Sequence, residues 1–134
     1  MKYTYTIIYV EDVTLTIEFY EKAFGFLRKF VTPENDYGEL ETEGTTISFA
    51  SLELGASNFS KGYDKVDKSK KAIGIELAFT TENIEVDFQK AIDHGAEVFE
   101  KIVEKPWGQK VGYLRDINGV LIEVCTPVTS ASLS

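Results

Sequence analysis

The sequence predicts an α+β fold of two tandem βαβββ repeats, and three observations point to it. Each half carries one apolar stripe at helical spacing: Val13, Ile17, Tyr20 and Phe24 in the first, Ile84, Phe88, Ala91 and Ile92 in the second. Each stripe sits between one β-branched or aromatic run before it and three extended segments after it. The punctuation also repeats in order. Asp12 corresponds to Asn83 ahead of the helix, Gly25 to Gly95 or Ala96 behind it, and Gly44 to Gly119 in a late turn. Such matching points to internal duplication, with two similar sheets related by a pseudo-twofold axis.

Element by element, Thr4 to Val10 is rich in residues that favour strands, and Asp12 with Thr14 supplies helix-capping chemistry. Glu18, Glu21 and Lys22 occupy the wet side of the helix that follows, and Gly25 can take the left-handed conformation that stops it. Strands are expected near Phe26 to Val31, Glu39 to Glu43 and Thr45 to Leu52, the last two joined by a tight turn at Glu43-Gly44. In the second half Ile75 to Thr80 reads as a strand, Asn83 as an N-cap, and Gly95 as the helix stop. Strands then fall near Glu97 to Val103, Gln109 to Leu114 and Val120 to Cys125, with Asn118-Gly119 as a type I′ hairpin signal. Between the halves, Gly55 to Lys71 has no sustained period and reads as a connecting loop, either a lid or disordered.

At 134 residues the chain suits one domain, 1–134. Repeat one spans about 3–54, a linker 55–72, repeat two 73–127 and a frayed tail 128–134. The 43% apolar, 27% charged composition is that of a folded protein, and no apolar run approaches the roughly 20 residues needed to cross a bilayer. The N-terminus has no signal-peptide pattern and the one cysteine, Cys125, cannot pair internally, so the expected location is cytoplasmic. A net charge of −8 argues against nucleic acid and, if it favours any ligand, favours a cation.

Alternation along the last strand puts Val120, Ile122 and Val124 under a helix and turns Leu121, Glu123 and Cys125 to the opposite face. The same period groups Tyr5, Ile7 and Tyr9, then Thr46, Ser48 and Ala50, then Glu76, Ala78 and Thr80. A face lined in this way is aromatic, small and acidic. Trp107, in Pro106-Trp107-Gly108 ahead of a strand, is a candidate aromatic wall, with a core or dimer contact as the other reading. His94, beside Gly95 at a helix end, is placed to complement the helix dipole.

The segment Phe19-Tyr20-Glu21-Lys22-Ala23-Phe24-Gly25-Phe26, after Val10-Glu11-Asp12, resembles the first-repeat signature of the glyoxalase / bleomycin-resistance / extradiol-dioxygenase (vicinal oxygen chelate) superfamily. Arg115-Asp116-Ile117-Asn118-Gly119-Val120-Leu121-Ile122-Glu123 resembles the end of its second repeat. The resemblance implies a mixed eight-stranded sheet curled around a cleft, helices on the outer face, and a homodimer. Metal-dependent members take one ligand from the first and one from the last strand of each repeat, which transfers here to Tyr5, Ser48, Glu76 and Glu123, with Ile75 at the third position if the register slips by one.

Only Glu76 and Glu123 of these are ordinary ligands, since a phenol and a hydroxyl are not readily deprotonated at neutral pH. The expected function is therefore that of the non-metal, bleomycin-resistance-like branch. A small cationic or aromatic ligand would occupy a cleft lined by Tyr5, Ile7, Tyr9, Ser48, Glu76, Trp107 and Glu123, with no metal, nucleic-acid or membrane partner. The alternative is a glyoxalase-type lyase or isomerase using a divalent metal on Glu76 and Glu123. A structural or regulatory module whose cleft is vestigial is the third reading.

Overall fold

Strand β1 (Tyr5–Val10) leads into α1 (Val13–Phe24), followed by β2 (Leu27–Val31), β3 (Tyr37–Glu41), β4 (Thr46–Ser51) and a short helix α2 (Leu52–Asn58). Strand β5 (Glu76–Thr80), α3 (Ile84–Asp93), β6 (Glu97–Glu104), β7 (Lys110–Arg115) and β8 (Leu121–Cys125) complete the chain. These coordinates are a computed structural model, in which residues 1–128 are described; all but the first residue of the expected tail lies outside them. The chain divides into two units, Met1–Val66 and a second beginning at Asp67, each with its own four-stranded mixed sheet. The strand orders match: β1-β4-β3-β2 in the first unit and β5-β8-β7-β6 in the second, with β1 parallel to β4 and β5 parallel to β8. The βαβββ repeat read from the sequence is therefore present twice.

In the first unit, α1 begins where expected because the Asp12 carboxylate accepts the Leu15 N–H at 2.9 Å. It ends where Gly25 turns left-handed at φ 74° and donates its N–H to the Glu21 carbonyl. Val13, Ile17, Tyr20 and Ala23 are buried with Leu40, Ile47 and Phe49 of the sheet, and the Tyr20 and Phe49 rings lie 4.9 Å apart. Gly38 of β3 permits this approach, since a Cβ there would come within 3.2 Å of the Ile17 side chain. Asp12→Ala should lower unfolding free energy by about 1 kcal/mol, the usual value of such a cap, read from the denaturant midpoint at unchanged m-value.

In the second unit, Ile84, Phe88 and Ala91 of α3 are buried with Leu114, Ile122 and Val124. Gly112 lets Phe88 down onto β7, because a Cβ there would stand 2.7 Å from the Phe88 ring. His94 caps α3, its Nδ1 lying 2.8 Å from the Lys90 carbonyl oxygen, and Gly95 follows at φ 118°. That is the helix-end position read from the sequence.

Three local expectations are corrected. Asn83 occupies the N-cap position of α3 but makes no side-chain cap bond; instead the Thr81 hydroxyl accepts the Asn83 N–H at 3.0 Å and donates to the Asp87 carboxylate. The tight turn expected at Glu43-Gly44 does join β3 to β4, with Glu43 left-handed at φ 64°. The Thr42 hydroxyl bridges that turn, donating to the Thr45 carbonyl at 2.9 Å. The β7–β8 turn is not type I′, which needs positive φ at both central residues: only Gly119 has it, at 103°. Its shape comes from Asp116, whose Oδ1 accepts the N–H groups of Asn118, Gly119 and Val120, each at 2.8 Å.

The third correction concerns the expected loop from Gly55 to Lys71, which begins inside helix α2. The Ser51 hydroxyl caps α2 by accepting the Leu54 N–H at 3.1 Å. Gly55, which reads as a helix breaker, is there for packing: a Cβ would lie 2.5 Å from the Tyr63 hydroxyl oxygen. Tyr63 packs on Tyr9 at 5.3 Å between ring centres and on Phe59 at 5.9 Å, and its hydroxyl donates to the Leu52 carbonyl. Further along, the Arg115 guanidinium donates to the carbonyls of Asp67 at 3.1 Å, Lys68 at 3.3 Å and Lys70 at 2.7 Å. The segment is thus anchored by specific contacts within each unit.

Candidate functional site

Each sheet has a helix on one face, and the residues that alternate away from the helix carry the candidate chemistry. The ladders show which positions of the two repeats are equivalent. In the first unit Tyr5 pairs with Thr46 and Ile7 with Ser48; in the second Glu76 pairs with Leu121 and Ala78 with Glu123. Tyr5 is therefore the counterpart of Glu76, and Ser48 that of Glu123. Glu76, rather than Ile75, opens β5.

On the second unit's open face, Glu76, Glu123 and Tyr113 form one group. The Tyr113 hydroxyl donates to Glu123 Oε1 at 3.0 Å, and Tyr113 and Glu123 stand opposite each other across β7 and β8. Partial withdrawal from water and then the charge and hydrogen bond of Glu123 raise the Glu76 carboxyl above its ordinary value. Burial, followed by the bond to Glu123, pushes the Tyr113 phenol up to about 12, so it remains a proton donor at neutral pH. Burial is also the main cause that pushes the Cys125 thiol up to about 11, which keeps it protonated and unreactive. Among the described residues neither Glu76 nor Glu123 makes an ion pair. Arg115 shares the register row of Leu121 and Glu76, but its guanidinium is turned to main-chain carbonyls.

The raised Glu76 carboxyl has a consequence for stability. The folded state holds this proton more tightly than the unfolded chain, so the contribution is full below the unfolded value and is lost as pH rises through the folded one. Glu76→Gln should therefore melt slightly higher than wild type at pH 7, and the gain should vanish below about pH 4, the ordinary range of a glutamate. The gain is small because Glu76 is exposed. Thermal melts of both proteins across that pH range check it.

On the first unit's open face, Ser48 is fully buried and linked to a tyrosine and a carboxylate absent from the candidates read in the sequence. The Tyr37 hydroxyl donates to Glu39 Oε2 at 2.6 Å and lies 3.0 Å from Ser48 Oγ. A phenol has one proton and a carboxylate can only accept, so Tyr37 gives its proton to Glu39 and Ser48 donates to Tyr37. Burial and then Glu39 push Tyr37 up to about 12. Each unit thus holds one tyrosine-to-glutamate hydrogen bond, at positions that are not equivalent between the repeats. Tyr37 was missed because β3 begins there, two residues before its expected start; Glu39 lay in the expected strand, but the resemblance transfers no site position to β3.

The remaining candidates are each placed within one unit. Tyr5 and Ile7 are exposed on the first unit's face, whereas Tyr9 packs against Phe59 and Tyr63 beside α2. A cavity of about 390 Å³ adjoins that cluster, lined by Leu52, Ala56, Phe59, Tyr63 and Lys65 among others. Trp107 lies in the β6–β7 turn, 47% exposed, and its indole N–H donates to Gln109 Oε1 at 2.9 Å. Gln109 in turn donates to the Thr126 carbonyl, which places Trp107 beyond the Cys125 end of β8, away from the rows of Glu76 and Glu123.

The donor set does not fit the resident metal of the metal-dependent members. Among the described residues no three His, Cys, Asp or Glu side chains are grouped to hold an ion. The first repeat offers the Tyr5 phenol and a Ser48 hydroxyl already committed to Tyr37. Among the described residues no helix is long and apolar enough to cross a membrane.

Comparison with known proteins gives the same architecture. A glyoxalase-related enzyme from Fulvimarina pelagi superposes with a TM-score of 0.78 at 13% identity, over 98% of this chain and 94% of that one. A glyoxalase/bleomycin resistance protein/dioxygenase family enzyme from Burkholderia phytofirmans PsJN does so with a TM-score of 0.76 at 18% identity, over 96% and 100%. A glyoxalase/bleomycin resistance protein/dioxygenase from Nocardioides gives 0.72 at 14% identity, over 97% and 85%. A search of the curated proteins found no match. The family model described as a glyoxalase-like domain matches residues 3–129, nearly the whole sequence. With its twice-repeated βαβββ topology, this chain belongs to the glyoxalase-like domain family.

Proposed function

We propose that this protein binds a small aromatic cation against its acidic, tyrosine-bearing sheet faces, without a metal ion. The observation that carries the reading is the placement of Glu76 and Glu123 on one face of the paired strands β5 and β8, near enough for Glu123 to raise the Glu76 carboxyl, with no basic side chain paired to either among the described residues. A cationic group between them would relieve their repulsion and allow both to ionise. Tyr113 would hold Glu123 in place for that contact, and the net charge of −8 would favour the encounter. The working form is a cytoplasmic homodimer, for which the exposed apolar residues Phe99 and Val103 on β6 offer contact area; sedimentation at micromolar concentration tests the dimer.

The test is a thermal-shift screen of planar aromatic amines and quaternary dyes, paired with elemental analysis of protein purified without a metal-affinity step. A cation that raises the melting temperature, and does so less in Glu123→Gln, supports the reading, because a specific ligand stabilises the state it binds. Stoichiometric transition metal in the purified protein would overturn the metal-free reading and favour a lyase or isomerase acting through Glu76 and Glu123. A melting temperature that responds to no cation and no metal would leave a structural module.

A further inference from the structure

We infer that the open face of the first sheet is a second recognition site, in which Glu39, flanked by Phe30 and Tyr37, receives the ammonium group of an organic amine. The inference rests on the cation-binding reading above and adds to it residues, and a chemical class, that the Glu76–Glu123 pair does not supply.

Glu39 stands in the interior of the sheet, not at its rim. It pairs with Ser48 of β4 on one side and with Phe30 of β2 on the other, and Ile7 of β1 lies beyond Ser48 in the same row. Tyr37 is two residues back on the same strand and therefore on the same face, and its ring meets that of Phe30 at 5.9 Å between centres. Glu39 is thus a half-buried carboxylate with the Phe30 and Tyr37 rings beside it, Ser48 across the ladder and Glu41 two residues on along the same face. A charge in such surroundings normally has a basic partner, since low-polarity neighbours raise the cost of leaving it alone. Among the described residues Glu39 has no such partner. The Lys29 ammonium on the adjacent strand is bonded to Thr46 at 2.8 Å and paired with Glu41 at 3.7 Å.

What Glu39 has instead is orientation. The chain of donors from Ser48 to Tyr37 to Glu39 occupies Oε2, and Oε1 is the oxygen left to accept from a ligand. Aromatic faces attract cations through their quadrupole, so Phe30 and Tyr37 beside a fixed carboxylate match an alkylammonium with an attached ring better than a neutral or anionic molecule. Phe30 is 43% exposed and Tyr5, at the corner of the same face, 46%, so the ligand would have rings to cover as well as a charge to meet.

The probes are 2-phenylethylamine, charged at pH 7, and its neutral counterpart 2-phenylethanol, titrated by NMR with the Phe30 and Tyr37 ring signals as reporters. Wild type should bind the amine about tenfold or more tightly than the alcohol, and Glu39→Gln should remove about that preference. Phe30→Leu, at an exposed site with little bearing on folding, should weaken the amine several-fold and serves if Glu39→Gln does not fold. Equal affinity for the two probes, or unchanged amine affinity in either folded variant, overturns this inference. If the amine binds wild type and is lost in Glu123→Gln but not in Glu39→Gln, only this inference falls. If neither this amine nor any screened cation binds wild type, the reading beneath it falls as well.

Discussion

Asp116→Ala should unfold at markedly lower denaturant, with a loss on the order of 3 to 5 kcal/mol. Asp116 is 2% exposed, and one of its carboxylate oxygens accepts three successive main-chain N–H groups, those of Asn118, Gly119 and Val120. Alanine would remove this acceptor from a turn that is itself largely buried, leaving the Gly119 N–H only the Asp116 carbonyl at 3.1 Å, and an unsatisfied buried donor costs about 1 to 3 kcal/mol. Asparagine distinguishes this cause from a general loss of packing. It can keep an oxygen in the place of Oδ1 while losing the charge and putting an NH2 where Oδ2 stood, so Asp116→Asn should forfeit roughly half as much or less. Equal losses in the two variants, measured as denaturant midpoints at constant m-value, would show that the accepted hydrogen bonds are not what holds the turn.

Gly119→Ala should cost about 3 kcal/mol, for a reason that concerns shape and not charge. Gly119 has φ 103°, a conformation that L side chains rarely adopt, and a methyl group there would lie 2.7 Å from the main-chain nitrogen and Cα of Lys68. It would also come within 2.8 Å of the Arg115 guanidinium, which clamps Asp67, Lys68 and Lys70. A flexible side chain could move aside; a clamped backbone cannot do so cheaply. The variant should therefore show faster amide hydrogen exchange over residues 67–70 as well as a lower midpoint. Because Asp116 and Gly119 share one turn, the double variant should lose less than the sum of the two. Strict additivity would mean that the turn does not act as a unit.

How far these features were legible differs from residue to residue. The α1 boundaries could be read because Asp12 and Gly25 act on their own neighbours: a carboxylate three residues from the N–H it caps, and a glycine free to turn left-handed. Asn83 has the right residue type at the right place, but the cap chemistry passes to Thr81 and Asp87. Gly55 misled because its reason is contact with Tyr63, eight residues on, and nothing local announces that packing. Tyr37 was overlooked because strand ends are weakly marked in sequence, and a β3 starting at Glu39 excludes it from the sheet face; Glu39 went unnamed because the transferred positions fall on the first and last strands of each repeat. Ser48 was named for its place in the repeat, whereas its bond to Tyr37 depends on how β3 and β4 register.

From the sequence alone follow the two βαβββ repeats, the helix stripes and the alternation that sets Tyr5, Ser48, Glu76 and Glu123 on helix-free faces, because periods of 3.6 and 2 are properties of neighbouring residues. Which tyrosine donates to Glu39, which to Glu123 and which basic side chains are already engaged were decided only by tertiary structure. Those contacts cross between neighbouring strands: Tyr113 meets Glu123 and Tyr37 meets Ser48 because ladder register aligns them, and register is set by the packing of whole sheets.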